Sequence, residues 1–421
     1  MSEKTIECDL LIIGAGMSGI AASFFASNRG ISTVQVGMST SLSFSSGLLD
    51  LMAVHPIETI NIWDDPWTGI DALNNDIPNH PYSKIKKEKI KEAFNEIVSF
   101  LKQTGINYVS EDDKNTQIIT SAGTIKHTYL VPESMWNGAV AYAKKAPCLF
   151  IDFHGLKGFS SRQITESLSD NWPNLRSAQI YFPDSFGENF CEHIARSLEK
   201  PEMRTKLVES IKPYLHDSKY IAFPAVMGMY SVKEIMSDIE QKIGLPIFEI
   251  PTMPPSVPGI RLKNAFEKRI VEKGVKVFFK HKIIRVNQDS SGEFISLLGD
   301  GSDITIVSKA LILASGRFLG KGLHAERKEI KETIFGLPVY QPESRTLWHE
   351  NDFFDPKGHA INQSGIETDE LLRPINSNKK PFFDNLFAIG TILAHQDWTR
   401  MKCGSGLSIA TAYAAVNNLK L

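Results

Sequence analysis

The chain has 421 residues, 42% of them hydrophobic and 22% charged, with a formal net charge of −2. That length allows two or three domains around large buried cores, and the near-neutral balance excludes a basic field for nucleic acid or an anionic bilayer. The four cysteines, Cys8, Cys148, Cys191 and Cys403, contain no CxxC pair. This argues against an iron–sulfur cluster, a structural zinc or a redox disulfide within the chain, so no metal site is expected, and scattered cysteines suit a reducing cytoplasm.

The first predicted element is the apolar run ending at Ile13. Glu3, Lys4, Glu7 and Asp9 precede it, and Gly14, Gly16 and Gly19 interrupt its continuation. It therefore reads as a buried strand, not a signal peptide or membrane span. Gly14-Ala15-Gly16-Met17-Ser18-Gly19 follows this strand and opens a helix, the context that GxGxxG requires. Gly14 permits the tight turn, Gly16 lets a phosphate approach the backbone, and Gly19 lets helix pack on strand. The helix start supplies N–H groups and a partial positive charge. The second strand, "STVQVG", should deliver an acid for a ribose about 20 residues past the fingerprint. It ends instead on Gly37, Met38 and Ser39, and no acid occurs before Asp50. Either an adenosine is held by other groups, or the ligand has no second ribose and is FMN rather than FAD or NAD.

Next comes "STSLSFSSGLLDLM", a small-residue loop in which Ser45, Ser46 and Gly47 offer hydroxyls and N–H groups beside the cofactor, or a helix cap. Residues 54–82 read as irregular. "KIKKEKIKEAFNEIVSFLKQTG" is an amphipathic helix with a solvated lysine face, ended by Gly105. Roughly 110–245 reads as an inserted α/β domain, with a strand–Gly turn–helix at "KAPCLFIDFHGLKGFSSRQITESL" and a buried strand at "KYIAFPAVMG". "PTMPPSVPGIRLKNAFEKRIVEKG" is a Pro-stiffened loop feeding a helix that stops at Gly274. The stretch to Ser308 is a β-meander with Ser-Gly and Asp-Gly turns.

Two late segments return to the nucleotide site in the manner of two-dinucleotide-fold flavoproteins. "ILASG" brings Ala314, Ser315 and Gly316; "NLFAIG" brings Gly390, followed by Thr391 where an acid usually meets the ribitol. The helix start "CGSGLSIATA" aims Gly404, Ser405, Gly406 and Leu407 at the isoalloxazine edge, where negative charge builds on reduction. No second GxGxxG follows another strand, which argues against a bound NAD(P)H. The expected fold class is α/β, a two-dinucleotide-binding (Rossmann-like) flavoprotein fold with a β-meander and an inserted α/β cap domain. Residues 1–60, 246–320 and 381–421 would build the flavin domain. Residues 61–245 would form a connecting segment and cap, and 321–380 a cap or interface segment.

Five stretches together resemble the B subunit of the anaerobic sn-glycerol-3-phosphate dehydrogenase family: "FSSGLLDL" (44–51), "PTMPPSVPGIRLKN" (251–264), "LASGRFLGKGLHAER" (313–327), "TDELLRP" (368–374) and "NLFAIGTIL" (385–393). The resemblance covers essentially the whole chain. It implies a flavoprotein, with FMN as the family's cofactor and FAD as the alternative. It further implies two partners in one complex: a larger FAD-containing subunit, and an iron–sulfur subunit that docks on the cytoplasmic membrane face. The chain would then be cytoplasmic and peripheral. The complex would oxidise glycerol 3-phosphate to dihydroxyacetone phosphate and pass electrons towards quinone, with fumarate or nitrate as final acceptor. A ligand without adenosine does not need the acid that Gly37 replaces.

Such an oxidation needs hydride delivery to the flavin, a base for the hydroxyl proton and cations for the phosphate. "SGRFLGKGLHAER" gathers His324 as candidate base, with Arg317, Lys321 and Arg327 as candidate cations. These charges would serve equally as solvated or subunit-contact groups. Arg261 and Arg373 are further candidates for an anion, and His395 for the flavin's surroundings. Two other readings stand beside this one: a self-sufficient flavin oxidoreductase of the fumarate-reductase-like type, and a non-catalytic assembly partner of the larger FAD protein.

Overall fold

The run "KTIECDLLII" forms strand β1 (Lys4–Ile13), and its last four residues are buried. The computed structural model describes residues 4–38, 41–185, 187–299 and 304–421; Ser39 and the Asp300-Gly301 turn of the meander lie outside them. Helix α1 (Met17–Asn28) and strand β2 (Thr33–Gly37) complete the opening βαβ unit, with β2 parallel to β1. The chain divides into two compact units. One comprises Met1–Ser41, Asp50–Ile97 and Phe266–Leu421; the other comprises Leu42–Leu49 and Val98–Ala265.

The first unit is built on a seven-stranded sheet in the order 276–279, β2, β1, 304–313, 294–298 and 283–288. Strand Ile304–Leu313 runs parallel to β1 from Lys4 to Ile13, and Leu386–Ala388 joins it at Leu311–Leu313. Of the predicted meander, strands 283–288, 294–298 and 304–313 form the antiparallel part of this sheet, whereas 276–279 pairs parallel to β2 on the other side, a correction to that reading. The central strands are continuous apolar runs because parallel strands are covered on both faces. α1 and the last helix, Gly404–Asn417, supply part of that cover. Both are small-residue helices buried almost all round, and they meet with Phe25 edge-on to Tyr413 at 5.0 Å. The predicted lysine-faced helix runs over Lys87–Gln103, and Gly105 follows it at φ +84°.

Residues 54–82 are not irregular throughout, which corrects the reading from composition. Helix Pro66–Asp76 lies within them, capped by Asp65, whose carboxylate accepts from the Trp67 and Thr68 N–H groups at 2.9 and 3.3 Å. Asp-Pro is an N-cap followed by a first-turn proline, a helix start among residues that otherwise signal loops.

The second unit centres on a four-stranded, all-parallel sheet in the order 247–250, 220–224, 148–153, 175–180. Its core is aromatic: Phe150 meets Trp172 and Phe248 edge to face at 5.9 and 6.3 Å. Within this unit lies a buried ion pair. Arg261 donates to both Glu249 oxygens at 2.7 and 2.9 Å and to the Gly228 carbonyl at 2.9 and 2.7 Å. Met227 N–H donates to the same carboxylate at 2.7 Å. Arg261 therefore ties strand 247–250 to the turn after strand 220–224, and the expectation that it reaches an external anion is corrected.

Burial alone would raise the Glu249 pKa, but the Arg261 charge and the surrounding donors hold it below its ordinary value. A carboxylate depressed in this way contributes stability at neutral pH that is lost as pH falls from about 4.5 through the folded-state value. Glu249→Gln is expected to leave the guanidinium without its counter-charge and cost about 3–5 kcal/mol. Urea unfolding midpoints measured between about pH 3 and 7 check both points: the variant should start lower and lose part of the acid dependence.

Candidate functional site

Four glycines of the nucleotide fingerprint region separate into two kinds. Gly14 sits at φ +137°, and a Cβ there would lie 2.1 Å from the Ala314 carbonyl oxygen. A Cβ on Gly19 would lie 2.2 Å from the Gly14 oxygen, and one on Gly37 would lie 2.6 Å from Ala15 Cβ and 2.7 Å from Ala15 N. These three are required by packing. Gly16 is different: its φ is −81°, and only Ser41 Oγ, at 3.1 Å, would neighbour an added Cβ. As N-cap of α1, Gly16 opens a helix that has no side-chain cap and no acid in its first turn. Space, helix N–H groups and positive dipole thus coincide at one residue, which fits a phosphate.

A residue that the motif does not announce holds this loop. Gln35, fully buried in β2, donates from Nε2 to the Gly14 carbonyl at 2.8 Å, and its Oε1 accepts from Ser23 Oγ at 2.9 Å. The signal was present as one amide between two valines in the wholly buried strand "TVQVG". A buried amide must find partners, and here they are the loop and the helix behind it.

The structure brings the later segments to the same place. Ala314 N–H donates to the Ile13 carbonyl at 2.8 Å, beside Gly14. Gly390, at φ +72°, packs so closely on the start of α1 that a Cβ would lie 1.9 Å from Ser18 Oγ. A Cβ on Gly316 would lie 3.5 Å from Thr391 Oγ1. The Ser315 hydroxyl oxygen is buried without a hydrogen-bond partner. The last helix is partly engaged: Gly406 N–H donates to the Asp50 carbonyl at 2.6 Å, and Ser405 Oγ accepts from Asp50 N–H, also at 2.6 Å. Leu407 N–H makes the ordinary helical bond to Cys403 at 2.8 Å. Gly404 packs against the Trp398 ring.

Ser45, Ser46 and Gly47 belong to the second unit. Ser45 Oγ donates to Leu42 O at 2.8 Å, Ser46 Oγ accepts from Leu48 N–H at 3.4 Å, and Tyr108 Oη donates to Gly47 O at 2.6 Å. A Cβ on Gly47 would lie 2.6 Å from Pro258, and one on Gly259 would lie 2.3 Å from the Leu42 oxygen. "FSSG" and "PPSVPG" are therefore packed on each other.

The candidate cations part company. Arg317 turns inward to the Asn362 carbonyl; burial lowers its pKa, with the Asp397 carboxylate opposing. Asp397 is itself buried and accepts from Asn362 Nδ2 and Arg400 Nη1, both at 3.2 Å. Lys321, His324 and Arg327 are exposed around the hairpin Leu323–Ala325/Ile330–Glu332, with His324 opposite Lys331. Arg373 is paired with Asp369 at 2.8 Å and Asp384 at 3.1 Å, and His395 with Glu367 at 2.9 Å. Both are thus engaged by carboxylates. Among the described residues no cluster of three or more His, Cys, Asp or Glu side chains is placed to hold a metal, and no helix is long and apolar enough to cross a membrane.

The family described as "FAD binding domain" matches residues 9–407. The B subunit of the anaerobic glycerol-3-phosphate dehydrogenase of Vibrio vulnificus is 29% identical over 423 residues, covering 97% of this chain and 95% of that protein. Its counterpart in Pectobacterium atrosepticum is 30% identical over 414 residues, covering 96% of each. Among solved structures, 3-ketosteroid delta1-dehydrogenase from Sterolibacterium denitrificans aligns with 98% of this chain and 99% of its own at 9% identity and a TM-score of 0.45. A flavocytochrome c3 fumarate reductase aligns over 99% and 78% at 9% identity and a TM-score of 0.41. The chain belongs to the FAD-binding domain family of flavoprotein oxidoreductases and, within it, to the family formed by the B subunit of anaerobic glycerol-3-phosphate dehydrogenases.

Proposed function

We propose that this chain is a flavin-bearing member of an anaerobic glycerol-3-phosphate dehydrogenase complex, working with a larger FAD-containing subunit and with an iron–sulfur subunit. The complex would oxidise glycerol 3-phosphate to dihydroxyacetone phosphate and send electrons towards quinone, with fumarate or nitrate as final acceptor. Its membrane contact would come through the complex. The observation that carries the reading is Gly16, the one fingerprint glycine left open where helix donors converge.

In this arrangement α1 and Gly16 hold the flavin phosphate, and Gln35 keeps the Gly14 carbonyl turned away from it. Ala314–Gly316, Gly390, Thr391 and the start of the last helix border the remainder. Ser315 Oγ offers a hydrogen-bond partner. Arg317 is the candidate that presents a cation inward; His324 and Arg327 face solvent. A bound flavin would supply hydride acceptance.

The flavin we favour is FMN, because β2 ends on a glycine whose Cβ position is filled by Ala15. FAD is the second reading, favoured by the description of the matching family. Denaturing the purified chain and separating the released chromophore by chromatography distinguishes them, with FMN as the expected result. FAD would mean that an adenosine is held by groups other than an acid at position 37. Absence of any flavin, with failed reconstitution by either, would support an assembly role instead.

Gly16→Val is expected to abolish flavin retention with little change in melting temperature, whereas Gly14→Val should lose the fold, since its Cβ would meet the Ala314 oxygen. A yellow Gly16→Val protein would overturn the placement. Gln35→Leu should release flavin roughly tenfold more readily, the loss of about one buried hydrogen bond, read by the fluorescence of dissociated flavin.

A further inference from the structure

Residues 350–359 form a loop held by its own hydrogen bonds. His359 closes it: Nδ1 accepts from Glu350 N–H at 3.1 Å, which leaves Nε2 to donate to the Phe353 carbonyl at 3.1 Å. Asp352 Oδ1 accepts from Phe354 N–H at 3.0 Å, and Asp355 Oδ1 from Lys357 N–H at 2.8 Å. Asp355 N–H and Gly358 N–H close two further turns at 3.2 and 2.9 Å. Gly358, at φ +76°, rests against the side chain of Arg400.

On this frame Phe353 and Phe354 stand edge to face, 5.0 Å apart, and are 75% and 83% exposed. Single exposed apolar residues are ordinary; two adjacent rings on a tied loop are the kind of anchor that carries interface energy. The loop that carries them is acidic along its own sequence, with Arg400 resting against Gly358 at its end. Residues 350–357 carry three carboxylates, Glu350, Asp352 and Asp355, against one ammonium, Lys357.

The geometry points to this loop as a docking element that inserts its two rings into another protein of the same complex. It rests on the reading of this chain as one member of that complex. The receiving face is an apolar pocket bordered by Lys and Arg, which complements the rings and the carboxylates together. A bilayer does not fit: the carboxylates would be repelled by anionic headgroups, and the loop lacks the basic cluster that accompanies interfacial anchors.

The test replaces Phe354 with p-benzoyl-L-phenylalanine in the native membrane-bound complex and identifies cross-linked peptides by mass spectrometry after irradiation. The expected product joins position 354 to a different protein of the complex, at apolar residues flanked by Lys or Arg. The Phe353→Ser/Phe354→Ser variant should lower affinity for the other subunits roughly tenfold or more, with an unchanged melting temperature. Glu350→Lys should weaken it less and reduce its salt dependence. Cross-links confined to lipid, to a second copy or to this chain itself, or unchanged affinity of the double variant, would overturn the inference. If the wild-type chain purifies with no other protein, its reading as a member of a complex falls, and this inference with it.

Discussion

The approach of Gly14 to Ala314 is the contact on which the first unit depends. It requires β1 and strand 304–313 to run side by side for their whole length, so that both end at the same level. Once they do, the glycine loop, the "ASG" turn and the "AIG" turn are stacked at one edge of the sheet. Each contact there is made by an atom that a side chain would displace: Gly14 on Ala314, Gly19 on Gly14, Gly390 on Ser18. The open position at Gly16 follows from this crowding, because the surrounding backbone is fixed by contacts that do not involve it. A ligand phosphate would meet a preformed cradle, and preformed donors need no reorganisation.

Much of this was legible in the sequence because the signals are local. The strand–GxGxxG–helix context, the meander with its turn residues, and the helices stopped by Gly105 and Gly274 all depend on neighbours a few residues apart. Helix 66–76 was hidden because its proline and aspartates carry two meanings, and only the Asp65-Pro66 order separates cap from loop. Gln35 and Arg261 were obscure for another reason. Gln35 is 21 residues from Gly14, and Arg261 is 33 from Gly228. Spacing along the chain does not report such pairings; they exist only once the sheets have formed. His324 and Arg327 show the converse, since sequence proximity to Arg317 does not make them share its inward orientation.

The second unit shows how a recognisable motif can be architectural. "PPSVPGIRLKN" attracts attention as a possible anion site, with a glycine near a helix start followed by arginine. In the fold its serine and glycine seat residues 42–47, and its arginine neutralises Glu249. Removing either partner of such a pair leaves a charge that the interior cannot solvate. That requirement is enough to hold both residues in place, whatever the chemistry elsewhere in the chain.

The contact between Gly37 and Ala15 has a consequence for how the cofactor site could change over time. An acid at position 37 needs a Cβ where the Ala15 methyl and amide already lie. The two positions are therefore coupled: an acid at the end of β2 first demands that the glycine loop shift, since even a smaller residue 15 keeps its backbone nitrogen 2.7 Å from that Cβ. Neither step alone improves the site, and their combined effect would not be the sum of the separate ones. A lineage that lost this acid and let the loop settle against β2 would find the way back closed by packing, however useful the lost carboxylate would again become.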